Sequence, residues 1–241
     1  MQKYVLITGA SRGIGKSTAL LFAQKGYHVF LNCNTSIDEL EKVKEQIDKE
    51  GGRCTLVPGN VADPEAVRKI FCEIHKVCSG LDVLINNAGI AHIGLLHEMT
   101  NEEWNQIIQT NLSSVFYCCR LAIPTMISKK SGRIINISSI WGNTGASCEV
   151  AYSASKSGIN GLTRALAKEL APSNIQVNAL SCGVIDTVMN GQLTEEERVA
   201  LEYEIPAGRF GTPEEAAQMV WNITNAPSYM TGQVIGIDGG Y

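Results

Sequence analysis

Short, nearly continuous apolar runs punctuate the chain, and the segments between them repeat their apolar positions every three or four residues. The runs at residues 4–7, 29–33, 54–57, 81–85, 133–138, 175–180 and 233–237 predict strands. The helical spacing predicts helices over 14–24, 37–50, 63–78, 101–128, 150–170, 194–203 and 213–224. Gly51–Gly52 is a stop for the second of these, and Asp63–Pro64 is a start for the third. Strands that are apolar on both sides belong in a parallel sheet covered on both faces. Right-handed crossovers then give an α/β, doubly wound architecture. No repeat, linker or low-complexity stretch divides residues 1–241, so one domain is expected. An insertion at about 186–210 carries the short charged helix.

Net charge is -4 over 241 residues, which favours neither nucleic acid nor an anionic membrane as partner. No apolar run is long enough to span a bilayer, and no signal-peptide pattern opens the sequence, so a cytoplasmic location is expected. The eight cysteines (Cys33, Cys54, Cys72, Cys78, Cys118, Cys119, Cys148 and Cys182) form no C-x-x-C pair and read as reduced thiols. The histidines have no metal-ligand spacing, so no metal is expected; His92 and His97 fall nearest a candidate cleft.

Two stretches carry candidate chemistry. The first, TGASRGIG, lies between strand and helix. Gly9, Gly13 and Gly15 allow a tight turn and close approach of a pyrophosphate to the helix N-terminus. The spacing is G-x-x-x-G-x-G. An acidic residue ending the second strand would select NAD through the ribose 2′-hydroxyl. Asn32-Cys33-Asn34 stands there instead, and the guanidinium of Arg12 suits a 2′-phosphate. NADP(H) is therefore the expected cofactor. The second stretch is SIWGNTGASCEVAYSASK. Tyr152 and Lys156 are one helical turn apart on one face. A neighbouring ammonium lowers the pKa of a phenol, which would ready Tyr152 for proton transfer. Ser139 follows the fifth strand and offers a hydroxyl to a substrate oxygen.

TGASRGIG, Asn86-Asn87-Ala88-Gly89, Asn111, Ser139, Tyr152 and Lys156, in that order, resemble the short-chain dehydrogenase/reductase family over essentially the whole chain. The resemblance implies a seven-stranded Rossmann sheet with helices on both faces and hydride transfer between nicotinamide and a carbonyl carbon. It implies Asn111, Ser139, Tyr152 and Lys156 as the catalytic set. Asn111 would hold a water linking Lys156 to solvent, Ser139 would orient the carbonyl, Tyr152 would donate the proton and Lys156 would grip the nicotinamide ribose. For the cofactor it implies Gly9, Ser11, Arg12, Gly13, Ile14, Gly15, Asn34, Asn60, Val61, Asn87, Ala88, Gly89, Tyr152, Lys156, Gly183, Ile185 and Thr187, with 87–89 on the adenine and ribose side. Three positions depart from the family pattern: Cys182 stands for the usual proline, Asn60 for an aspartate, and Val188 for a more often polar residue.

Within the family, SGRIINISS, GRFGTPEE and TGQVIGIDGG resemble 3-oxoacyl-acyl-carrier-protein reductases. SIWGNTGASCEVAYS resembles elongation factor P 5-aminopentanone reductases, which reduce a ketone on a modified lysine. An acidic carrier needs basic docking residues; Lys129, Lys130 and Arg133 are the candidates, whereas 171–174 offers no charge. Glu149, one turn before Tyr152, would pair with a substrate ammonium, and Trp141 is a second candidate pocket residue. A homodimer or homotetramer built on the 101–128 and 150–170 helices is the family's usual assembly. A nucleotide-binding sensor or scaffold without turnover is the alternative of another class.

Overall fold

The computed structural model describes residues 2–191 and 193–241. Seven parallel strands form one sheet: β1 (Tyr4–Ile7), β2 (His28–Leu31), β3 (Arg53–Leu56), β4 (Val83–Asn86), β5 (Gly132–Ser139), β6 (Ile175–Cys182) and β7 (Val234–Ile237). Their order is β3-β2-β1-β4-β5-β6-β7. β1 therefore pairs with β2 on one side (Val5 opposite Val29) and with β4 on the other (Val5 opposite Val83). The strand order reverses there, and in such sheets the ligand crevice opens beyond the carboxyl ends of the strands at that point.

Burial on both faces explains the continuous apolar runs. In β1, Val5 and Ile7 pack into the core on one side of the sheet, and Leu6 into the core on the other. The helices are α1 (Gly13–Gln24), α2 (Ile37–Lys49), α3 (Pro64–Val77), α4 (Asn101–Ile108), α5 (Ser114–Lys129), α6 (Trp141–Thr144), α7 (Val150–Leu170), α8 (Glu195–Glu204) and α9 (Pro213–Thr224). α1 and α9 meet on one face, where Phe22 sits edge-on to Trp221 at 5.3 Å.

Side chains fix several helix starts. Asp63 accepts the Glu65 N–H ahead of Pro64, and Thr100, Thr194 and Thr212 each form a capping box with a glutamate three residues on. α1 differs. Arg12 at its N-cap makes no capping bond, and its first turn holds no acidic residue. The 101–128 helix expected from periodicity is interrupted: a π turn, Gln109–Ser113, separates α4 from α5. A π turn adds a residue to one helical turn and rotates the turns downstream of it. Here it holds the fully buried Asn111.

The segment carrying α8 leaves and rejoins the body at a bridge between Ile185 and Gly211. Arg198 ties α8 down with two 3.0 Å bonds to the Asp186 carboxylate, and its guanidinium lies 4.5 Å from the Phe210 ring centre.

Candidate active site

The glycine loop is a close-packed corner. A Cβ on Gly15 would lie 2.1 Å from the Gly9 carbonyl oxygen, and Gly9 and Gly13 have φ of +66° and +52°. Residues beyond β4 brace it. Asn87 Nδ2 donates to the carbonyls of Thr8 (2.9 Å) and Gly9 (3.0 Å). The hydroxyl oxygen of Thr8 accepts the N–H groups of Asn87 (2.9 Å) and Ala88 (3.0 Å). Asn87 thus spends its amide on the loop. Ser11 is buried, Ile14 half-buried and Arg12 exposed with its head group in solvent. Thr187 packs against Gly13, so the α8 segment touches the loop. Gly183 lies tight against Asp238, and Ile185 is buried behind it.

Asn34 is exposed after β2, and Asn60 is exposed after β3 with its Oδ1 accepting the Ala62 N–H at 3.0 Å; Val61 is buried. Asn32 is buried and bonds the Val57 and Gly59 carbonyls, linking the two loops.

The second cluster lies at the carboxyl end of β5. Ser139 is its last residue, opposite Cys182 on β6. Lys156 is almost completely buried, and its ammonium donates to the Ile137 carbonyl at 2.8 Å. Its nitrogen lies 5.4 Å from the Tyr152 ring centre. Asn111 stands behind, donating to the Ile90 carbonyl (2.9 Å) and the Ser155 hydroxyl (3.1 Å) and accepting the Ile90 N–H (2.8 Å). Gly89 completes this group: a Cβ there would meet Asn111 Oδ1 at 3.4 Å and Lys156 Nζ at 3.6 Å. Gly89 therefore adjoins the lysine, whereas Asn87 and Ala88 adjoin the glycine loop.

The electrostatics differ from the sequence expectation. Burial pushes the Tyr152 phenol well above its ordinary value of 10; the Ser139 hydroxyl pulls it back, and Cys182 and Glu149 push it up again. Burial also lowers Lys156 from 10.5 to about 8. With its ammonium bonded to the Ile137 carbonyl, the lysine does not offset desolvation of the phenol in the ligand-free protein.

Trp141 lies beside Ser139: its N–H donates to Ser139 Oγ at 3.2 Å, and its ring packs at 5.8 Å against that of Tyr241. The Tyr241 hydroxyl in turn donates to Glu204 at the end of α8 (3.0 Å). Glu149 is half-buried at the N-cap of α7, makes no side-chain capping bond, and its carboxylate has no hydrogen-bond or ion-pair partner among the described residues. Desolvation raises its pKa. His92 faces Glu103 at 3.9 Å and His97 faces Glu98 at 3.9 Å, so these imidazoles are turned to surface carboxylates.

The basic docking candidates are misplaced with respect to this cluster. Arg133 is the second residue of β5 and Ser139 its last, so ~20 Å of strand separates them. Arg133 Nε donates to the Thr224 carbonyl, and Lys129 donates to the Gly80 carbonyl at 2.8 Å. Asn174 bonds the Lys130 carbonyl at the same amino end of the sheet. None of the three basic residues flanks the cluster within one chain.

All eight cysteines are free. Among the described residues no cluster of potential metal ligands gathers, and no helix is long and apolar enough to cross a membrane.

The sequence reading passed over Asn160, Thr8, Ser155 and Tyr241. Asn160 had a signal: with Tyr152 and Lys156 it continues a spacing of four along one face of α7.

A doubly wound sheet whose crevice gathers a glycine corner and a Ser–Tyr–Lys cluster defines the architecture of a nucleotide-using α/β enzyme. The short chain dehydrogenase family matches residues 3–198. The 3-oxoacyl-[acyl-carrier-protein] reductase of Thermotoga maritima is 41% identical over 239 residues, 99% of this chain and 97% of its own. That of Staphylococcus aureus is 41% identical over 241 residues, 100% of this chain and 98% of its own. The solved 3-oxoacyl-[acyl-carrier protein] reductase of Brucella melitensis superposes with a TM-score of 0.92 at 32% identity, covering 99% of this chain and 90% of that one. The chain belongs to the short chain dehydrogenase family. It is an oxidoreductase acting on CH–OH and C=O groups.

Proposed function

We propose that the protein is an NADPH-dependent reductase converting a ketone to a secondary alcohol, of the 3-oxoacyl-acyl-carrier-protein reductase type. The observation that carries this reading is the cluster at the end of β5 of buried Ser139 and Lys156 with half-buried Tyr152, and Gly89 and Asn111 against the lysine.

The chain's own residues fit a nicotinamide dinucleotide. The N-terminus of α1 has no side-chain cap and no acidic residue in its first turn. Its free N–H groups suit a pyrophosphate, and the glycine corner admits one closely. When bound, the nicotinamide supplies a hydride to the carbonyl carbon. Tyr152 gives its proton to the carbonyl oxygen. The Ser139 hydroxyl donates to the same oxygen and stabilises the charge that builds there. Lys156 holds the ribose, and its ammonium favours the phenolate left on Tyr152. Asn111 buttresses the lysine from behind. The 186–210 segment covers the substrate.

NADPH is preferred over NADH because no carboxylate ends β2 and the exposed Arg12 is free to meet a 2′-phosphate. Arg12→Ala is expected to weaken NADPH roughly tenfold and leave NADH within twofold, as for loss of one charge-assisted contact. Titration of protein fluorescence with each coenzyme reads this, and unchanged preference in the variant removes Arg12 from the role.

For the ketone, the relatives at 41% identity support a 3-oxoacyl thioester presented by acyl carrier protein. The second reading, a 5-aminopentanone on modified elongation factor P, is favoured by Glu149. A half-buried carboxylate with no cation raises the cost of ionising Tyr152, and a substrate ammonium would neutralise it. Acetoacetyl thioester and modified elongation factor P should be assayed side by side with NADPH oxidation as readout. Glu149→Gln is expected to cut kcat/KM for the amino-ketone roughly tenfold or more and to spare the thioester. Equal activity of wild type and variant on both substrates defeats the ion pair.

A further inference from the structure

We propose that Asn160 is a positioning residue: it clamps the turn α6 onto α7 and thereby holds the Ser139 hydroxyl in place beside Tyr152. This rests on the reading of Ser139 and Tyr152 as the groups that meet the carbonyl oxygen.

α6 is one turn long and buries none of its residues. Apart from the Trp141 ring against Tyr241, apolar packing therefore does little to locate it. Yet its first residue sets the catalytic serine, because the Trp141 N–H is given to Ser139 Oγ. With that lone pair engaged, the serine O–H is left to point elsewhere. The position of α6 must come from polar bonds, and these converge on Asn160.

Asn160 is 3% exposed and uses both ends of its amide. Its Oδ1 accepts from Ser138 Oγ at 2.7 Å. Its Nδ2 donates to the Gly142 carbonyl at 3.2 Å and to Asn143 Oδ1 at 2.9 Å. Asn143 Nδ2 continues to Ser181 Oγ at 3.1 Å, and Ser181 is the β6 neighbour of Ser138. The amide thus ties β5, α6 and, through Asn143, β6 to α7. Ser157 adds a bond to the Gly142 carbonyl at 2.8 Å. The contact is close enough to need glycine: a Cβ on Gly142 would lie 2.8 Å from the Lys156 carbonyl carbon and 2.9 Å from its Cβ. The residues bearing the phenol and the ammonium are on the same helix, two turns and one turn before Asn160. One side chain therefore sets the distance between the serine on its turn and the tyrosine on its helix.

Asn160→Asp keeps the acceptor for Ser138 and turns two acceptors, the Gly142 carbonyl and Asn143 Oδ1, against a carboxylate. The expected result is a fall in kcat of roughly 10–100-fold, the scale of a small displacement of a reacting group, with the coenzyme dissociation constant within twofold of wild type. Asn143→Ala, at the solvent-facing end of the clamp, is expected to lose a few-fold by the same route and to fold without difficulty. The deciding measurement is a double-mutant cycle with Ser139→Ala. Once the hydroxyl is gone there is nothing left to place, so adding either clamp mutation to Ser139→Ala changes kcat by less than about twofold. Losses that multiply in the double mutants overturn the clamp and leave the assignment of Ser139 intact. Full kcat in Ser139→Ala alone overturns that assignment and the clamp with it. Full kcat in both Asn160→Asp and Asn143→Ala overturns the clamp.

Discussion

Tyr152→Phe is expected to lose reductase turnover by ~1,000-fold while binding coenzyme as tightly as wild type. In the proposed reaction the phenol is the proton source, and a positioned general acid is worth roughly 10²–10⁴ in rate. The ring itself is retained, so packing against Lys156 and the adjacent helix turn is undisturbed. The Tyr152 backbone carbonyl, which accepts from Ser155 Oγ at 2.7 Å, is also unchanged. Coenzyme consumption with a ketone reads the first half and fluorescence titration the second. A variant that keeps wild-type turnover would transfer the proton-donor role to another group. A variant without turnover that still serves the protein's role in cells would favour the sensor alternative.

Lys156→Met is expected to abolish turnover and yet to raise the thermal stability of the coenzyme-free protein near neutral pH. The sign comes from the lowered pKa. In the unfolded chain the ammonium keeps its ordinary value of 10.5; in the folded protein burial takes it to about 8. Below about pH 8 both states carry the proton and the whole cost of burying the charge is present. Between about 8 and 10.5 the folded state releases a proton that the unfolded state keeps, so folding becomes more favourable as pH rises. Removing the charge at pH 7 is therefore worth about 3 kcal/mol, less ~1 kcal/mol for the Ile137 carbonyl left without its donor. For a chain of this size that is ~5 °C in Tm. The advantage of the variant should shrink between pH 8 and pH 10, and an identical difference in Tm at both would show that the lysine is not held against its charge. The comparison separates catalysis from stability at one residue: turnover lost together with stability gained is the pattern expected of a buried cation kept for the proposed reaction.

The sheet was legible because burial on both faces writes an unambiguous apolar run, as in Val5, Leu6 and Ile7. The 213–224 helix was legible to the residue because Thr212, Pro213 and Glu215 spell its start chemically. The π turn was not: no residue type in Gln109–Ser113 announces a widened turn inside a helical pattern. α6 was invisible for the opposite reason, since it buries nothing and leaves no pattern. The motif residues were legible as types in order, but their energetics were not. Tyr152 and Lys156 are desolvated by burial, and groups that act on them, the Ile137 carbonyl and Cys182, come from β5 and β6, distant parts of the chain. The misassigned docking residues show the same limit. Arg133 is six positions from Ser139, and in an extended strand those six positions carry it to the far end of the sheet.

The place of β1 between β2 and β4 bears on how the chain is made. Thr8 and Gly9 are braced by Asn87 and Ala88, nearly eighty residues downstream. While a nascent chain holds only the first strand, corner and helix, it has none of those braces and must keep the apolar β1 sequence unpaired on both sides. Closure of the corner waits for β4 to emerge, so long-range pairing rather than local helix formation sets the pace of maturation.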